Sequence, residues 1–170
     1  MILLAKWLAL TAMFLATALA PSSAETDTTA TSCMYISAHE RFGVTVAGDI
    51  SRFDVAQFPA GGYMDWSVRQ TPPHPNGMIY YPLVYTRPDG YWPRGDELAA
   101  AVRGNPGATW MIGNEAETVW MDDVTPEQYA RAYHDVTTAI KQIDSTAKFA
   151  FTSVATVSTL RLAWLDRALA

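Results

Sequence analysis

Disulfide bonding is excluded at the outset, because Cys33 is the one cysteine among 170 residues. No intrachain bridge can form, so the fold must stand on its core. The lead-in Ala30-Thr-Ser-Cys33 lacks the apolar residue leading into a small pair that a lipidation site has and lies well past the apolar segment, and Cys33 reads as a buried or idle thiol. Basic charge is scarce as well: 12 Lys and Arg stand against 17 Asp and Glu, a formal charge of −5. That balance argues against nucleic acid or an anionic membrane surface as partner. The three histidines, His39, His74 and His134, show no zinc-binding spacing, and neither a metal nor an organic cofactor is expected.

Long apolar runs are also missing. The stretch from Trp7 to Ala20 falls short of the about 20 residues that span a bilayer. Lys6 precedes it, and Ala18-Leu-Ala20 and Ser22-Ser-Ala24 follow with the small-x-small pattern of a signal-peptidase site. Residues 1–24 therefore read as a signal peptide cleaved after Ala24, and the expected destination is extracytoplasmic. An uncleaved amphipathic anchor is the other reading. Loss of Lys6 takes the charge from −5 to −6. Residues 25–40, rich in Thr and Ala, read as a flexible leader.

From Arg41 onward, strand-length apolar runs alternate with polar or helical stretches, the signature of βα units on a parallel sheet. The runs are Phe42 to Ala47, Tyr63 to Val68, Met78 to Thr86, Ala108 to Ile112 and Lys148 to Ala155. Pro82 counts against a central position for the third, since it donates nothing to a ladder. Between these, Ile50, Phe53 and Ala56 recur at helical spacing, Asp96 to Arg103 reads as a short helix stopped by Gly104, and Leu160 to Leu169 begins another. Thr125-Pro-Glu-Gln128 combines an N-cap, a proline at the first helical position and a capping-box Gln. Behind it, Tyr129, Ala132, Tyr133, Val136, Ile140 and Ile143 mark one buried helix face.

The fourth run, Ala108-Thr-Trp-Met-Ile-Gly-Asn-Glu115, carries the most chemistry. Parallel α/β barrels build their active sites where strands end, which makes Glu115 a candidate catalyst and Asn114 a candidate ligand for a sugar hydroxyl. Glycosidic hydrolysis needs one carboxyl group to protonate the leaving oxygen, and Glu115 can supply it. A Glu115 paired with an arginine, beside an Asn114 that merely closes the turn, is the alternative. Trp66, Trp92 and Trp120 fall at or beyond successive strand ends, where their planes suit the C–H faces of sugars; core packing is the competing use. Glu117, Asp122 and Asp123 lack the spacing and glycine of a calcium loop and read as helix-start acids.

Phe42-Gly-Val44, Gly62-Tyr-Met-Asp-Trp66, Tyr80-Tyr-Pro-Leu83 and Gly113-Asn-Glu-Ala-Glu117, followed by Thr125-Pro-Glu-Gln-Tyr129, resemble successive blocks of the Asl1-like glycosyl hydrolases. The resemblance covers about Arg41 to Ala170. It implies a (β/α)8 TIM barrel of which residues 41–170 carry about the first five βα units, whereas a complete barrel takes about 250 residues. It further implies hydrolysis of a polysaccharide such as β-1,3-glucan by a retaining mechanism, with Glu115 as general acid/base and Asn114 orienting the substrate. Pro82 suits the family's third strand. Two positions depart from the pattern. The family continues Asn-Glu with Pro-Asp, and the Ala116-Glu117 found here is expected to loosen the loop. The family's nucleophilic glutamate belongs to a later strand, so this chain is expected to be inactive by itself, as part of a longer hydrolase. The alternative is a non-catalytic carbohydrate-binding or cell-surface interaction protein, and an unrelated function on the same scaffold stays open.

Overall fold

The computed structural model describes residues 41–57 and 59–170. The segments expected to be a signal peptide and a leader, together with Cys33 and His39, lie outside the described residues. Chain order is β1 (Gly43–Thr45), two 3₁₀ turns (Ile50–Arg52 and Val55–Gln57), β2 (Gly62–Met64), a 3₁₀ turn (Pro75–Gly77), β3 (Ile79–Tyr80), β4 (Leu83–Arg87), β5 (Gly90–Trp92), α1 (Gly95–Gly104), β6 (Thr109–Ile112), α2 (Pro126–Ile143), β7 (Lys148–Ala150) and α3 (Thr159–Leu169).

Apart from an antiparallel β4–β5 hairpin, the strands pair in parallel, in two sheets ordered β1-β2-β3 and β5-β4-β6-β7. β1 lies against β2 with Val44 opposite Tyr63, and β2 against β3 with Tyr63 opposite Tyr80. β4 lies against β6 with Leu83 opposite Met111, and β6 against β7 with Trp110 opposite Phe149. β3 and β4 are the two halves of the expected third run, divided at Tyr81-Pro82. Tyr81 N–H still donates to Tyr63 O at 2.9 Å, and Pro82 uses its carbonyl to accept Met111 N–H at 2.9 Å. A proline tolerates this place because the ladder there asks only for an acceptor. Among the described residues the array does not close into a barrel, since β1 and β7 do not pair.

Three sequence expectations need correction. Residues 50–57 form two single 3₁₀ turns instead of one helix, because Asp49 and Asp54 each turn a carboxylate onto a backbone N–H two residues ahead, at Ser51 (2.9 Å) and Ala56 (3.3 Å). Such side chains offer the backbone an alternative to helix. β5 was not expected: Arg87-Pro-Asp-Gly90 closes a hairpin, with Arg87 opposite Gly90 and Tyr85 opposite Trp92 in antiparallel register. Ile143, assigned to the buried stripe of α2, is exposed, because the last turn of that helix runs past the core.

The main core lies between the sheet and its helices. Val84, Trp110 and Ile112 from the strands meet Leu98, Ala101 and Val102 of α1 and Val136 and Ile140 of α2. Each of the larger side chains contributes about 1.5–3 kcal/mol by leaving water. Thr125 caps α2 through its hydroxyl while Gln128 reaches back, forming the full capping box. α1 ends where Gly104 passes Gln70 so closely that a Cβ would stand 1.9 Å from its carbonyl oxygen. Asn105 seals that end by donating to Ala101 O at 2.8 Å and Arg69 O at 2.7 Å.

Candidate active site

The chain leaves β6 through a tight corner. Gly113 (φ +80°) and Glu115 (φ +46°) both adopt left-handed backbone, which glycine tolerates and glutamate does not favour. A strained residue of this kind persists only where its surroundings over-determine it. Here Gly113 N–H donates to Val84 O (2.8 Å), Asn114 N–H to Asp122 Oδ2 (3.2 Å) and Ala116 N–H to Thr152 Oγ1 (3.3 Å). The Glu115 carbonyl accepts both Thr118 N–H (2.9 Å) and its hydroxyl (3.1 Å). Tyr129 of α2 closes the corner from below, donating to Ile112 O at 2.7 Å and accepting Thr152 N–H at 2.9 Å. Asn114 and Glu115 are half-buried at this C-terminal strand end.

The Ala116-Glu117 departure does not loosen the loop. Ala116 is fully buried and supplies an N–H that a proline would lack. Glu117 Oε1 accepts Ala155 N–H at 2.8 Å and pairs with Arg161 of α3, so it ties that helix to the loop. Glu117 and Asp122 are consequently not helix-start acids; α2 begins only after Thr125, and its first-turn acid is Glu127.

Asp122 is buried and links two strand ends. Its Oδ2 accepts the backbone N–H (2.9 Å) and the hydroxyl (2.6 Å) of Thr86 from β4 as well as Asn114 N–H. Oδ1 has no hydrogen-bond partner and faces Arg87 Nη1 at 3.8 Å. Burial pushes the Asp122 carboxyl above the ordinary carboxylate range, against the hydrogen bonds from Thr86 that favour its charged form. At the end of β2 a second buried carboxylate, Asp65, accepts from Ser67 Oγ (2.7 Å), Tyr80 Oη (3.1 Å) and Arg69. Burial raises the Tyr80 phenol far above its usual range, and that of the neighbouring Tyr63 to about 12.

Tyr85 touches two of the three candidate tryptophans, Trp66 through its backbone carbonyl and Trp92 through its ring. Tyr85 donates its hydroxyl to the Trp66 carbonyl at 3.0 Å, and its ring lies 6.4 Å from that of Trp92. Arg87 covers the Tyr85 ring at 5.0 Å. Trp66 and Trp92 keep 39% and 48% of their surface exposed, so each presents ring area beyond what packing uses. Trp120, at 87% exposure, stands apart on the loop after Glu115. Beside Trp92, a cleft of about 850 Å³ is lined by Arg87, Asp89, Tyr91, Arg94 and Glu97. Asp65, Tyr85, Thr86, Arg87 and Thr152 were not singled out from sequence as site residues, and Tyr129 was read only as part of the buried face of α2. Only Asp65 carried a signal, as a carboxylate just past a strand.

Similar architecture occurs among solved enzymes. A subgroup II GH128 endo-β-1,3-glucanase from Sorangium cellulosum matches with a TM-score of 0.57 and 15% identity over 75% of this chain and 53% of that one. A subgroup I GH128 endo-β-1,3-glucanase from Amycolatopsis mediterranei, in complex with laminaritriose, matches with a TM-score of 0.54 and 15% identity over 75% and 48% of the two chains. This chain shares a glycoside hydrolase fold. It spans about half the length of these glucanases. No family model matches the sequence, and no curated protein does.

Proposed function

We propose that this chain is part of an exported glycoside hydrolase acting on β-1,3-glucan or a closely related polysaccharide, that it is akin to the Asl1-like glycosyl hydrolases, and that its strands belong to a (β/α)8 barrel. Glu115 is the general acid/base, Asn114 orients a sugar hydroxyl, and Trp66, Trp92 and Trp120 stack on sugar rings. The observation that carries this reading is the Asn114-Glu115 corner at the C-terminal end of β6. Support comes from the parallel strand order and from the likeness to the GH128 glucanase fold. Because this chain by itself is expected to be inactive, incubation of the longer hydrolase that carries these residues with laminari-oligosaccharides, followed by counting of new reducing ends, tests it. Glu115→Gln should lower turnover by about 10² to 10⁴, the usual worth of a positioned proton donor. Equal turnover by both proteins would remove Glu115 from the mechanism.

A second reading has its own observation. A retaining mechanism needs a second carboxylate about 5–5.5 Å from the acid. Asp65, Glu117 and Asp122, the neighbouring carboxylates near strand ends, are all buried and committed to hydrogen bonds. Glycan binding without cleavage fits that commitment. Calorimetric titration with laminari-oligosaccharide that shows saturable binding, weakened by Trp66→Ala or Trp92→Ala and unaccompanied by turnover, would favour it.

A further inference from the structure

We infer that Asp122 is the positioning residue that holds Glu115 in its working geometry. This rests on Glu115 being the proton donor proposed above. The corner that presents Glu115 is intrinsically unfavourable, with φ +46° at a residue bearing a Cβ. Its neighbour Asn114 is anchored by a backbone N–H directed at Asp122 Oδ2 (3.2 Å), and that same oxygen takes two further donors from Thr86 at the end of β4. One buried carboxylate oxygen thus gathers the ends of two adjacent parallel strands at the point where the candidate acid leaves the sheet. Hydrogen bonds to a charged acceptor are the strong ones, and their loss in a buried place leaves donors unpaired. The Asp122 side chain is itself fully buried, so it touches no substrate and reaches Glu115 through the Asn114 backbone. The fold tolerates its partnerless Oδ1, which faces Arg87, because Oδ2 secures three contacts.

The test compares wild type, Asp122→Ala and Asp122→Asn by amide hydrogen exchange on this chain and by kinetics of the longer hydrolase on laminari-oligosaccharides. Asp122→Asn keeps a carbonyl oxygen for the three donors and should retain most of the wild-type protection at Asn114. In Asp122→Ala the Asn114 amide should lose about 10- to 100-fold in protection, well beyond any change at Trp110 and Met111 within β6. Turnover should fall in kcat with KM little changed, because the lost interaction positions the reacting group and leaves substrate binding intact. Equal loss of protection throughout β6 would reduce Asp122 to a general stabiliser and overturn the inference, as would an Asp122→Asn protein no better protected than Asp122→Ala. If the longer hydrolase shows no turnover, the hydrolase reading fails, while the exchange comparison still decides whether Asp122 sets the corner.

Discussion

Replacing Tyr129 with Phe removes one oxygen atom and with it the joint between the ends of β6 and β7. The hydroxyl donates to Ile112 O and accepts Thr152 N–H, and the residue is fully buried. Thr152 N–H would then be a buried donor without its partner, which costs about 1–3 kcal/mol, while the Ile112 carbonyl, with two lone pairs, sits at the low end of that range. No cavity term is added, because the phenyl ring keeps its edge contacts with Phe151 (4.6 Å) and Trp164 (5.6 Å). The expected loss is about 2–4 kcal/mol in total. Urea denaturation followed by tryptophan fluorescence should move to a lower midpoint by about 1–2 M, with the slope unchanged. Hydrogen exchange at Ala116 should rise in parallel, since its acceptor is the hydroxyl of the same Thr152. A loss below about 0.5 kcal/mol would mean that water or a shifted backbone satisfies both groups, and the account of the corner given above would be wrong.

Gly113→Ala tests the corner from the other side: a Cβ there meets Tyr129 Cε2 at 2.8 Å and Asp122 Oδ2 at 3.3 Å at a φ of +80°. The combined cost of left-handed backbone and overpacking is about 2–4 kcal/mol, measurable as a lowered denaturation midpoint, and a neutral result would refute the fit. Acid stability should depend on Asp144, whose carboxyl is held below the ordinary 3.8 by the Thr146 hydroxyl and then by Gly107 N–H. A folded-state value below the unfolded one contributes stability above that unfolded value, and the contribution disappears as pH falls through the folded value. Asp144→Asn should therefore show a shallower loss of stability from about pH 5 to pH 2 than wild type, read by thermal melts across that range. Asp122 works in the opposite sense, its raised value favouring the fold at low pH and losing that contribution as pH rises through it.

Most of the run of elements and a candidate acid were legible in the sequence, whereas the β5 hairpin and the 3₁₀ turns of residues 50–57 were not. Alternating apolar runs placed five parallel strands, the Thr125-Pro-Glu-Gln128 signature started α2 at the residue where it begins, and the strand ending in Asn114-Glu115 marked the face on which chemistry would sit. These are local signals, written in spacing and in capping residues. Tertiary structure alone decided what holds that face together. Asp122 looked like a helix-start acid because it lies just before the Thr125 cap of α2, yet its partners, Thr86 and Asn114, are 36 and 8 residues away. Tyr129 looked like one member of an apolar stripe, although its hydroxyl joins two strand ends. The ring contact between Tyr85 and Trp92 likewise depends on an antiparallel hairpin that only the register of β4 and β5 reveals. Burial and hydrogen-bond satisfaction are properties of juxtaposition, so residues whose role is to satisfy a distant backbone group leave no periodic trace in the chain.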